Sequence, residues 1–73
     1  MAIKKITLIT SKQKYYFEVE EYNSKHLLSK ITYGGWLGDK KIKDKIGETK
    51  SLEDAITLAK VSVGQSIDKI EID

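Results

Sequence analysis

From Ser51 to Gly64 the chain carries a start, a period and a stop that agree on one α-helix, and no other segment does. Ser51 is a good N-cap, because its hydroxyl can accept from a first-turn amide, and Asp54 places a carboxylate at the positive end of the helix dipole. Leu52, Ala55, Ile56, Ala59 and Val63 then fall on one stripe at helical spacing, and Gly64 can close the last turn in the left-handed conformation. A helix confined to this stretch leaves the first fifty residues to be read by strand periodicity.

That periodicity is present. Residues 3–10 are β-branched, with Ile6 and Leu8 on one face and Thr7 and Ile9 on the other, and residues 11–14 form a turn. Tyr15, Phe17 and Val19 then alternate with Tyr16, Glu18 and Glu20, so residues 3–22 read as an antiparallel hairpin. After the break at Asn23-Ser24-Lys25, Leu27, Ile31 and Tyr33 share a face opposite Leu28, Lys30 and Thr32. The segment Gly34-Gly35-Trp36-Leu37-Gly38-Asp39 is a bulge or a loop, with Gly38-Asp39 able to reverse the chain. Residues 39–46 read two ways. Ile42, Asp44 and Ile46 alternating with Lys41, Lys43 and Lys45 suggest a fourth strand, whereas Ile42 and Ile46 also suit a short helix. Residues 66–73 form a last strand with Ile70 and Ile72 on one face, and as it follows a helix it can pair with the first strand in parallel.

The resulting expectation for residues 1–73 is one α+β domain in the order β-β-β-(β)-α-β. An antiparallel or mixed sheet of four to five strands has one helix packed on one face. The helix stripe is expected against Ile6, Leu8, Phe17, Val19 and Ile31. A chain of 73 residues buries only about 60–65% of the surface it exposes when unfolded, and with no cysteine it has no disulfide or thiolate metal site to add stability. The apolar run after Lys4 and Lys5 is too short for a signal peptide, and no apolar stretch approaches the 18 residues of a membrane span, so a cytoplasmic, membrane-free protein is expected.

All thirteen basic residues are lysine, and neither arginine nor proline occurs. Arginine supplies the planar fork that reads guanine edges and phosphates in pairs of hydrogen bonds, and lysine offers only a mobile point charge, so sequence-specific nucleic-acid readout is disfavoured. Catalysis has little to stand on: His26 is the one histidine, at a strand start, and Glu18, Glu20 and Glu21 read as a solvated face that at most holds a divalent ion loosely. The glycines around Trp36 lack the Gly-Lys-Ser/Thr ending of a phosphate loop. No enzyme, cofactor or metal centre is expected.

Charge is uneven, with seven lysines against three acids in residues 25–50 and two against five in residues 51–73. Lysines 41, 43 and 45 on one strand face near Tyr33 and Trp36 have the makings of a platform on which bases stack and phosphates pair. The same lysines also suit edge protection, offset by Glu18 and Glu20 across the sheet, with Tyr33 and Trp36 filling the core. The leading expectation is a small non-enzymatic binding module acting through an unidentified protein partner, self-association through a sheet edge into a homodimer being a special case. Its candidate binding residues are Tyr33, Trp36, Lys40, Lys41, Lys43 and Lys45. Weak, sequence-tolerant binding of single-stranded nucleic acid by the lysine and aromatic face is the alternative.

Overall fold

The computed structural model describes residues 2–73. Five strands, β1 (Ala2–Ile9), β2 (Lys14–Tyr22), β3 (Lys25–Gly34), β4 (Lys40–Thr49) and β5 (Lys69–Ile72), form one sheet in the spatial order β4-β3-β2-β1-β5, and a helix, α1 (Leu52–Val63), packs on one face. Residues 40–46 are therefore strand, and no short helix forms over 39–46. Every neighbouring pair is antiparallel, β1 with β5 included. The parallel option for the last strand fails for a simple reason. A helical crossover makes parallel the two strands it joins, here β4 and β5; in a four-strand meander β4 runs opposite to β1, so β5 must too.

Both ends of α1 follow from their caps. The Ser51 hydroxyl accepts from the Asp54 amide at 3.1 Å, and Gly64, at φ 69°, turns its own amide back to the Lys60 carbonyl at 3.2 Å. The hairpins are equally local in origin. Asn23 and Ser24 both adopt positive φ, 47° and 62°, which gives the two-residue β2–β3 turn a twist matching that of its strands. Thr10 ties the β1–β2 turn, donating its hydroxyl proton to the Gln13 carbonyl and accepting from the Gln13 amide.

The core lies between helix and sheet. Ile6, Leu8, Phe17, Val19 and Leu28 meet Ala55 and Ala59, with Leu52, Ile56, Leu58, Val63 and Ile46 around them. The expected stripe is present, with Leu58 as an addition and one substitution on the sheet side. Leu28 is the β3 residue under the helix, and Ile31, expected there, lies on the opposite face. Small alanines let α1 sit close, and Gly47 extends this: a Cβ there would come within 3.3 Å of Leu58 Cδ2. A bulge between Leu28 and Ser29 inserts Ile46 next to Gly47, so β4 adds an apolar side chain to the core at its helix-facing end.

Candidate functional site

No helix covers the second face of the sheet. Its register puts Lys5 and Thr7 of β1, Tyr16, Glu18 and Glu20 of β2, Ser29, Ile31 and Tyr33 of β3, and Lys41, Lys43 and Lys45 of β4 on this side. Ile31 is nonetheless only 3% exposed, flanked in register by Tyr16 and Lys43 and along its own strand by Tyr33. The Tyr16 and Tyr33 rings meet edge to face, 6.1 Å between centroids, a preferred aromatic geometry. Beside them opens a recess of about 250 Å³, bordered by Thr7, Tyr16, Glu18, Ile31, Tyr33 and Lys41, with Lys5 and Asp73 at its rim.

Glu18 and Glu20 do not form the solvated acidic face expected from alternation. Glu18 is buried, and it accepts a hydrogen bond from Lys41 Nζ at 2.7 Å while Lys43 Nζ lies 3.7 Å from its other oxygen. The Lys41 hydrogen bond holds the Glu18 carboxyl below its ordinary range although burial pushes the other way. Lys43 also pairs with Glu20, and that hydrogen bond, followed by the charges of Glu20 and Glu18, raises its own pKa. Two lysines of the candidate platform are thus already paired with carboxylates on the open face. Lys45 lies 3.7 Å from Glu48, and Lys40, at the start of β4, is exposed. Among the described residues no cluster of His, Asp or Glu is placed to hold a metal ion, and His26 sits at the β3 start, its Nε2 3.7 Å from Glu21 and its buried Nδ1 without a hydrogen-bond partner.

The structure separates the aromatic pair that the sequence places together. Tyr33 is on the open face, opposite Lys41, whereas Trp36 belongs to the β3–β4 turn beyond the sheet. The reversal comes two residues earlier than Gly38-Asp39: the Gly38 amide donates to the Gly35 carbonyl at 3.2 Å, with φ at 87° for Gly35 and 68° for Gly38. Two glycines in the left-handed region leave Trp36 and Leu37 as the central residues of the turn, outside the strands. Trp36 is 96% exposed and Leu37 76%, so the tryptophan fills no core. Tyr16 and Thr7, which complete the recess, were not legible as site residues, because only the strand register brings them beside Tyr33.

No helix of the described residues is long and apolar enough to cross a membrane. Comparison with family models, curated proteins and solved structures finds none that matches this chain.

Proposed function

We propose that this chain is a small non-enzymatic binding module that acts through a protein partner, with the turn at Trp36 and Leu37 as its anchor. The observation that carries the reading is the exposure of Trp36 at the tip of the β3–β4 hairpin. An aromatic side chain buries 150–250 Å² when covered, so leaving the indole in water forgoes about 4–6 kcal/mol at 25 cal/mol per Å². Folding gains nothing from tryptophan at a turn centre, where small polar residues serve better. Tryptophan is enriched among the residues that dominate protein interfaces, and the flanking glycines permit the left-handed turn that presents it and let a partner's backbone approach closely.

Nucleic-acid binding is the weaker reading because Lys41 and Lys43 are engaged with Glu18 and Glu20, so a phosphate would have to displace carboxylates already in place. A tagged chain and its Trp36→Ala variant, each used for capture from a cell extract with and without nuclease, test the two readings together. The reading expects a protein retained by the parent after nuclease and lost by the variant. Retention by both chains would remove Trp36 from the site, and loss on nuclease treatment would favour the alternative.

A further inference from the structure

The same molecule exposes a Trp36-Leu37 knob with no cover of its own and, one face away, an aromatic recess with no layer over it. Building on the partner reading above, we infer that the partner is a second copy of this chain. Each copy's Trp36 inserts into the recess bordered by Thr7, Tyr16, Ile31 and Tyr33 of the other, so contact is made through the open face and tip rather than through a sheet edge.

Four observations support this occupant. The first is size: about 250 Å³ lies below the roughly 300–1,000 Å³ of a drug-sized ligand site and suits one large side chain. Chemistry agrees, since Tyr16 and Tyr33 offer ring faces and edges, Ile31 an apolar floor, and the exposed Asp73 carboxylate at the rim gives the indole N–H an acceptor. Charge is the third. Lys5 and Lys41 balance Glu18 and Asp73 around the recess, and Asp39 and Lys40 balance each other beside the tip, so two copies meet without like-charge repulsion and a strongly acidic or basic partner gains nothing. The fourth is symmetry. Tyr33 borders the recess only three residues before Trp36, so knob and recess lie at the same end of the sheet. A two-fold axis lying between tip and recess and oblique to the strands brings each Trp36 to the other copy's recess, and the contact closes on itself.

Because only the tip ends of the two sheets overlap, the interface falls at the low end of the size range, below about 1,200 Å², and the dimer is weak and concentration-dependent. Sedimentation equilibrium of the full chain from about 5 µM to 1 mM, read together with acrylamide quenching of Trp36, tests it. A monomer–dimer equilibrium should appear, with Trp36 passing from quenchable to protected over the same concentrations.

Trp36→Ala should raise the dissociation constant at least about 100-fold, since both copies lose an anchor, and Thr7→Phe, which fills the recess, should do the same. Mixing these two monomeric variants should restore one knob-and-recess contact and give a heterodimer. A chain monomeric at 1 mM, or a dimer indifferent to both substitutions, overturns the inference. If the chain is monomeric but still captures a protein from extract in a Trp36-dependent way, self-association fails while the partner reading stands; if it neither dimerises nor captures, both fail.

Discussion

Leu27 and Leu28 are adjacent, chemically identical and on opposite faces of β3, which makes their alanine variants a sharp test of how the sheet is oriented. Leu28 is fully buried beneath α1, in register with Val19 and Gly47. Gly47 has no side chain that could swing into the space a missing leucine leaves, so the cavity stays open and Leu28→Ala should cost about 3–5 kcal/mol. Leu27, half-buried on the uncovered face, returns part of its surface to water, and Leu27→Ala should cost about 1 kcal/mol. A domain of 73 residues has a total stability of about 4–11 kcal/mol, so the first variant is close to unfolding and the second is not. Urea titration followed by far-UV circular dichroism reads the difference. Trp36 emission is a poor reporter because the ring is exposed in the folded state too. With a slope of about 1 kcal/mol per M, the Leu28→Ala midpoint should fall by at least about 3 M or lie below zero denaturant, and that of Leu27→Ala by about 1 M. Equal losses, or a Leu28→Ala cost under about 1 kcal/mol, would refute the assignment of the helix to the Leu28 face.

Glu18 binds its proton more weakly folded than unfolded, so its contribution is complete above the ordinary value of 4.5 and is lost as pH falls toward and through its lowered folded value. Acid titration of stability should show that loss, and Glu18→Gln should flatten it. Ser24→Gly should raise the melting temperature, by the equivalent of about 0.5–1 kcal/mol, because φ 62° suits glycine and Asn-Gly is the favoured pair for this turn. Gly64→Ala should lower stability by about 1–2 kcal/mol in a thermal melt, since alanine at φ 69° strains the helix stop, although a Cβ there meets no neighbour.

The sequence made local features legible and left global ones open. Ser51 and Gly64 bounded α1 because capping is decided within a few residues, and alternation in β2 paired Phe17 with Val19 because a strand has period two. Period two, however, says which residues share a face and not which face the helix takes. β3 carries apolar residues on both faces, and Ile31 was assigned to the core that Leu28 occupies. Trp36 was ambiguous for a related reason: an apolar residue among glycines suits a core bulge or a turn, and only the pairing of Gly34 with Lys40 across the hairpin puts it outside the sheet. The ion pairs of Glu18 and Glu20 with Lys41 and Lys43 were anticipated as charge offset, but the burial of Glu18 depends on Lys41 and Lys43 arching over it from a strand two places away in the sheet.

The β1–β5 pairing also bears on how fast and in what order the chain folds. Three successive hairpins bring β1 to β4 together through contacts between residues near in sequence, which form within microseconds. Joining Ile9 to Lys69 instead closes a loop of about 60 residues, at an entropic cost of about 3–4 kcal/mol, for only four residue pairs. The strand that completes the sheet is therefore expected to join after the meander and helix are in place and to open before them.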